Sequence, residues 1–373
     1  MRVLMVSHTY LPAEYRGKLR WLATQGGVSL TLAALSMLRL PTGSQLTFEK
    51  VAEPFEVKFL QPLAFAHNNT LRCYAPAQVM GLLQETKPAI VHAEAEPHSL
   101  TLALLACLKP RFGYRLVAFT WENRFLKGRG PLRWLERFTL RRVDWMIAGN
   151  KGAVDVVRWR GYAGSVTVIP QVGLNPAHYE AALPHPALSI NSFRIGFVGR
   201  LVSEKGVMDL FEAFIPLAQY AVLILIGEGP LRALIQERAA AAGIADRVHC
   251  LGFVAYSEMP AYLKSLEVLV LPSRTMPFWM EQFGHVLAEA MLAGTPVIGS
   301  DSGAIPEVIG DAGLIFPEGD VGALRERLTW LIEHPEERKQ LAEAGKRRAL
   351  AHFTDEAIAK ATLQVYQAFG SLK

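Results

Sequence analysis

Two carboxylates, Glu281 and Glu289, are separated by seven residues at the start of the stretch EQFGHVLAEAMLAGTPVIGSDSG, positions 281–303. The Phe283-Gly284 step reads as a loop-to-helix transition, which puts Glu281 in the loop, Glu289 inside the helix and the helix N-terminus between them. Such a terminus carries unpaired backbone N–H groups and the positive end of the helix dipole, so it suits an anion, most often a phosphate. The acids on either side are placed to hold sugar or ribose hydroxyls. A second pair, Arg200 and Lys205, lies five residues apart in GRLVSEKG, a turn that opens into a helix. An arginine forks onto two phosphate oxygens and a lysine acts beside it as a compact point charge. Together they suit a diphosphate leaving group. Two merely solvated cations at a helix start would run against the dipole preference for acids there. Gly227 opens another turn, GEGP, whose glycines let backbone approach a ligand closely, although a plain βα turn accounts for them equally well.

The elements that must position these residues alternate. Strand-like runs occur at 2–7, 57–60, 89–93, 115–119, 145–148 and 166–169, with helical patterns at 15–23, 75–86, 98–108, 131–142 and 151–159. The alternation restarts with strands at 194–198, 222–226, 248–251, 268–271, 296–299 and 313–316 and helices at 206–218, 231–242, 259–265, 284–293 and 321–332. This is an α/β pattern of two Rossmann-like domains, each a parallel sheet with helices on both faces. The expected boundaries are an N-terminal domain at 1–175, a linker at 176–192, a C-terminal domain at 193–352 and a helix at 353–373 packing back toward the first domain. Two such sheets offer their carboxyl ends to one cleft, where open α/β sheets bind ligands.

Composition narrows the classes. A chain of 373 residues exceeds one core, and 51% apolar residues supply two. Its three cysteines, Cys73, Cys107 and Cys250, lack metal-ligand spacing and read as reduced core residues of a cytoplasmic protein. The opening apolar run is too short for a signal peptide, and the longest, near 100–108, falls short of the ~20 residues that span a bilayer. Gly227-Glu228-Gly229 has Arg232 where the third glycine of a dinucleotide fingerprint belongs, so nicotinamide chemistry is not expected. No HExxH, GxSxG or P-loop occurs. The net +5 is uneven, with residues 1–180 strongly basic and the remainder acidic, which points to an anionic partner for the first half or to solubility alone.

The set GRLVSEKG at 199–206, IGEGP at 226–230, LGFV at 251–254, EQFGHVLAEAMLAGTPVIGSDSGAIPEVI at 281–309 and GLIFPEGD at 313–320 resembles the nucleotide-sugar domain of retaining glycosyltransferases of the GT-B fold, family four, also called glycosyltransferase group 1. The match covers nearly all of the second half in order and spacing. The resemblance implies that Arg200 and Lys205 bind the donor diphosphate and that Glu289 binds the ribose hydroxyls. It implies that Glu281, with the backbone of Phe283 and Gly284, positions the transferred sugar, and that residues near Gly252, Phe253 and Val254 border the base. The first half departs from the family. Where relatives have a glycine pair after the first strand, this chain has SHTYLPAEYRGKLRWLA; His8 is weighed there for the cleft, and Arg16 and Lys18 are expected as exposed helix residues. Where relatives carry a histidine at a later strand end, this chain reads Phe119-Thr120-Trp121-Glu122-Asn123, so that either Glu122 or Asn123 supplies the polar contact. His92 and His98 read as core or loop residues.

One stretch addresses the acceptor. Positions 124–142 hold seven cations and one acid, with Arg133, Arg137 and Arg141 on one helical stripe beside Leu132, Trp134, Leu135 and Phe138. That pattern suits the surface of an anionic membrane or a phosphate-bearing acceptor; the plain alternative is a helix packed on the sheet with solvated arginines. No groove-reading module points to nucleic acid. The combined expectation is a retaining, metal-independent hexosyltransferase, without a cofactor, that moves sugar from a UDP- or GDP-sugar to a hydroxyl of a glycan or lipid-linked acceptor. It would work in the cytoplasm or at the inner face of the cell membrane. The rival readings are a nucleotide-sugar epimerase of the same fold and a non-catalytic donor-binding subunit.

Overall fold

The computed structural model describes residues 1–39, 45–63, 73–125, 130–188 and 191–370. Its contacts divide the chain into two compact units, the first comprising residues 1–174 together with 355–373, the second residues 175–354.

The first unit contains β1 (Arg2–Val6), α1 (Gly17–Thr24), β2 (Ser29–Ala34), β3 (Met37–Arg39), β4 (Gln45–Thr47), β5 (Glu56–Phe59), α2 (Pro76–Thr86), β6 (Ile90–Ala93), α3 (Leu100–Phe112), β7 (Arg115–Thr120), α4 (Pro131–Leu140), β8 (Trp145–Ala148), α5 (Lys151–Trp159) and β9 (Ser165–Val168). Seven strands form one sheet in the order β5-β2-β1-β6-β7-β8-β9, every pair parallel. Side-chain alternation sorts β1 between two cores: Leu4 and Val6 join the face covered by α2 and α3, whereas Val3 and Met5 join the face covered by α1.

The second unit contains α6 (Pro176–Ala181), β10 (Phe193–Val198), α7 (Val207–Phe214), β11 (Ala221–Ile226), α8 (Leu231–Ala241), β12 (Val248–Gly252), α9 (Met259–Lys264), β13 (Val268–Leu271), α10 (His285–Ala293), β14 (Val297–Ser300), α11 (Ile305–Ile309), β15 (Leu314–Phe316), α12 (Val321–Glu333) and α13 (Pro335–His352). Its parallel sheet has the order β12-β11-β10-β13-β14-β15. Every residue of β11, Ala-Val-Leu-Ile-Leu-Ile, is buried, as a central parallel strand covered on both faces requires. The last helix, α14 (Asp355–Ala368), belongs to the first unit, where Ile358, Val365 and Tyr366 complete the α1 face of the core. None of the described helices is long and apolar enough to cross a membrane.

Several expectations are revised by the coordinates. The strand β2 and the antiparallel β3-β4 pair add to the strands expected from the sequence pattern. The stretch 176–192, expected as a linker, holds α6 and a short 3-10 turn, and Tyr179 of α6 is buried within the second unit. Of the cysteines expected in the core, Cys107 is exposed and Cys73 and Cys250 are only half-buried. Arg16 and Lys18, expected on an exposed face, are buried. The reason lies in their partners. Arg16 donates to the carbonyls of Tyr10 (2.8 Å) and Leu11 (2.6 Å) and pairs with Glu53 at 3.0 Å, while its guanidinium lies 3.7 Å from the centre of the Phe48 ring. Lys18 donates to Glu94 (2.9 Å) and to the Gln171 carbonyl (2.8 Å). The bulky loop that stands where a glycine pair was expected is therefore tied down from inside by its own cations.

Candidate donor site

In an open parallel sheet the crevice for a ligand lies at the carboxyl ends of the strands where the order reverses, and in the second unit that point falls between β10 and β13. The loop after β10 carries Arg200 and Lys205, and the loop after β13 carries Ser273 through Glu281. The two loops touch. Gly206, in the left-handed region at φ 64°, has no room for a side chain, since a Cβ there would meet the Pro272 carbonyl oxygen at 1.8 Å. The backbone N–H of Arg274 donates to the Glu204 carbonyl at 2.9 Å.

This approach brings Lys205 and Glu281 together although 76 positions separate them. Lys205 Nζ lies 2.6 Å from Glu281 Oε2, which also accepts from the Ser273 hydroxyl at 3.0 Å. The Trp279 ring sits beside the ammonium, 4.7 Å from Nζ to the ring centre. Glu281 is buried, and the Lys205 side chain is 18% exposed, so the lysine is the more accessible member of the pair. Arg200 is a different kind of group: its side chain is 62% exposed and pairs with the helix-turn neighbour Glu204 at 3.2 Å. Asp209, in the first turn of α7, grips Arg274 through two hydrogen bonds of 2.7 and 2.6 Å.

Residue Gly284, at φ 80°, precedes the first residue of α10 with no side-chain cap, its carbonyl accepting from the Leu287 N–H at 2.9 Å, and the positive end of the helix dipole lies at this point. Phe283 is buried against Phe353 at that end. Glu289 projects from the second turn of α10 and is half-buried near Tyr179. Burial pushes its carboxyl up to about 7. The sign of the linkage follows: a carboxyl whose folded value lies above the ordinary 4.5 contributes stability fully at low pH and loses it as pH rises through about 7. We expect Glu289→Gln to remove that slope, leaving the variant about 2 kcal/mol more stable relative to wild type at pH 8 than at pH 4, after allowance for partial exposure. Urea unfolding across this range reads the difference, and parallel pH profiles would refute it.

At the outer side of the sheet, Gly227 donates its N–H to the Gly252 carbonyl at 2.7 Å, and a Cβ on Gly227 would meet the Gly199 carbonyl oxygen at 2.0 Å. Three strand-end turns are thus packed backbone to backbone. Beyond them Phe253 is 83% exposed and Val254 half-buried. The second unit therefore carries Arg200, Lys205, Gly227, Phe253, Val254, Glu281, Phe283, Gly284 and Glu289 on the loops and helix ends at the carboxyl side of one sheet. Ser273, Trp279 and the Asp209–Arg274 pair carry no such mark in the sequence, except that Ser273 follows the apolar run of β13 and so stands at the carboxyl end of a strand.

Glu122 belongs to the first unit. Its carboxylate accepts from the backbone N–H of Arg124 (3.1 Å) and from Nε (3.0 Å) and Nη2 (3.1 Å) of the same residue. The neighbouring Trp121 is locked by donation from its indole N–H to Gln171 at 2.8 Å and from its backbone N–H to Glu96 at 2.9 Å, with its ring against Gly149. Asn123 is buried. His8 is half-buried in the loop after β1, and His92 is a core residue whose Nδ1 lies 2.7 Å from the Tyr366 hydroxyl.

Residues 186–348 match the family described as Glycosyl transferases group 1. A relative from Streptomyces fradiae, 2-deoxystreptamine N-acetyl-D-glucosaminyltransferase, is 31% identical over 270 residues, covering 67% of this chain. The chain spans 59% of that relative's own length. Among solved structures, sucrose-phosphate synthase from Thermosynechococcus elongatus superposes with a TM-score of 0.75 at 20% identity, covering 100% of both chains. Anabaena Alr3699/HepE in complex with UDP superposes with a TM-score of 0.72 at 18% identity, again over 100% of both. These likenesses establish the fold as GT-B, with two Rossmann-like parallel-sheet units. Through residues 186–348 the chain belongs to the glycosyl transferases of group 1.

Proposed function

We propose that the chain transfers a hexose-type sugar from a nucleoside diphosphate sugar to a hydroxyl of a glycan or lipid-linked acceptor, with retention at the anomeric carbon. The observation that carries this reading is the Lys205–Glu281 contact of 2.6 Å at the carboxyl ends of β10 and β13, beside the uncapped start of α10. Cleaving the sugar–phosphate bond places negative charge on the departing diphosphate. Preorganised cations and helix N–H groups aimed at that charge are the usual source of rate enhancement. Lys205, Arg200 and the α10 terminus supply them without a metal ion. Glu281 stands beside the lysine on the sugar side, and Glu289, five residues into α10, holds the ribose hydroxyls. In front-face transfer the departing diphosphate collects the acceptor proton. This asks little of an added base, consistent with a Glu122 carboxylate engaged by Arg124. The bound UDP of the Anabaena neighbour supports a uridine or related donor here.

The test is incubation with a panel of UDP- and GDP-sugars, with and without glycan and lipid-linked acceptors, followed by proton NMR of the anomeric centre. The reading predicts nucleoside diphosphate release, faster with acceptor, and a product of retained configuration. An isomerised donor without any acceptor would point instead to an epimerase, and donor binding with neither transfer nor slow hydrolysis to a non-catalytic subunit.

A further inference from the structure

The outer face of α4 belongs to the first unit, and none of the residues assigned above to the donor site lies on it. Around this helix Arg133, Trp134, Arg137 and Arg141 fall within an arc of about 100°, and all four are exposed, Trp134 at 70%. Leu132, 41% exposed, lies at its first turn. The one acid of the helix, Glu136, points the other way: it is buried and paired with Arg160 at 2.7 Å. The arginines of this face therefore have no anionic neighbour on their own helix. The same Arg160 follows Trp159, 47% exposed, which meets Phe125, 57% exposed, at 5.7 Å between ring centres. An exposed aromatic pair thus stands one residue from the arginine that holds Glu136 of α4. On the inner side Thr139 and Leu140 are buried, and Arg142 stacks over Phe138 at 3.9 Å, so α4 is anchored to its unit and presents this face as a fixed surface.

An exposed tryptophan among arginines, on a helix whose only acid is internally neutralised, has the chemistry of an interfacial helix. The cations meet lipid phosphates, and the indole sits at headgroup depth with its apolar body toward the acyl chains. We propose that this face docks the first unit on an anionic bilayer. Three arginines aimed at one side complement a negative membrane surface, and the aromatic and leucine side chains between them suit a lipid boundary better than a wholly hydrated polyanion. The inference is independent of the transferase reading, since docking requires neither donor nor acceptor.

The test is co-sedimentation of the full chain with vesicles of phosphatidylcholine alone and of phosphatidylcholine mixed with phosphatidylglycerol, without nucleotide. The proposal predicts binding to the anionic vesicles only, weakened by added salt as the Debye length shortens. The triple variant Arg133→Gln, Arg137→Gln, Arg141→Gln should lower the partition coefficient on the order of 100-fold, the factor expected at about 1 kcal/mol per cation. Trp134→Ala should weaken binding while preserving its salt dependence, and brominated lipid should quench less fluorescence in that variant than in wild type. Circular dichroism and UDP or GDP binding verify that both variants are folded. Absence of binding to anionic vesicles, equal binding to neutral ones, or unaltered binding by the triple variant would each overturn the proposal, including the case in which the face binds a soluble polyanion such as heparin instead.

Discussion

Lys205→Ala is expected to lower transfer by about 10²- to 10³-fold, the loss that follows removal of one preorganised charge partner from a developing anion. The geometry adds a consequence for the fold. Lys205 is bonded to Glu281 at 2.6 Å, and the truncation removes the cation from a buried carboxylate that also accepts from the Ser273 hydroxyl. Removing one partner of a buried pair is costly, but the 18% exposure of the Lys205 side chain admits water, so the stability loss should stay near 1–2 kcal/mol. The paired variant Lys205→Ala with Glu281→Gln separates the two effects. It should recover much of the stability and none of the turnover, a non-additivity that a double-mutant cycle reads directly. Single-turnover transfer and urea unfolding supply the two measurements. Transfer by Lys205→Ala within a few-fold of wild type would remove the lysine from the proposed chemistry.

Lys18→Met should have the largest effect on the first unit. Glu94 is fully buried, and burial alone would raise its carboxyl; the charge of Lys18 leads the opposing effects, joined by the Tyr10 hydrogen bond, and together they hold it down at about 2. The carboxylate accepts from Ser7 (2.8 Å), Tyr10 (2.5 Å), Lys18 (2.9 Å) and Gln171 (2.9 Å). Methionine keeps the volume and removes the charge, at a cost of about 3 kcal/mol at neutral pH, the low end for a broken buried pair because three neutral donors remain. The pH dependence has a definite sign. A carboxyl depressed to about 2 stabilises the native state above its ordinary 4.5, and that contribution fades as pH falls through 2. Without Lys18 the depression is lost, so the deficit of the variant should be greatest at neutral pH and shrink below about 4.5. Chemical unfolding from pH 3 to 8 checks this, and a deficit independent of pH would contradict the charge pairing.

The residues that reasoning from sequence located well are those whose role is local. The apolar run of β11 announces a strand buried on both faces, and the Phe283-Gly284 step marks the start of α10 within one residue. What stayed hidden depends on partners distant in sequence. Arg16 and Lys18 look like exposed helix cations until Glu53 and Glu94 are brought against them by the return of other chain segments. The contact between Lys205 and Glu281 exists because the strand order reverses between β10 and β13, and sequence does not state strand order. Glu136 looked like one acid among the cations of α4, and only its pairing with Arg160 shows that it faces inward. The segment containing α6 lacked a clear period because its six residues are too short to display one.

The central claim, that the second unit holds a nucleoside diphosphate at the loops after β10 and β13, is tested most directly by calorimetry of UDP, GDP, uridine and guanosine binding to wild type and to Lys205→Ala. The account predicts that at least one diphosphate binds wild type about 100-fold more tightly than its parent nucleoside, because charge-assisted contacts to the phosphates supply most of the affinity. It also predicts that Lys205→Ala loses most of that margin. A nucleoside that binds as tightly as its diphosphate, or a diphosphate affinity untouched by Lys205→Ala, would contradict it.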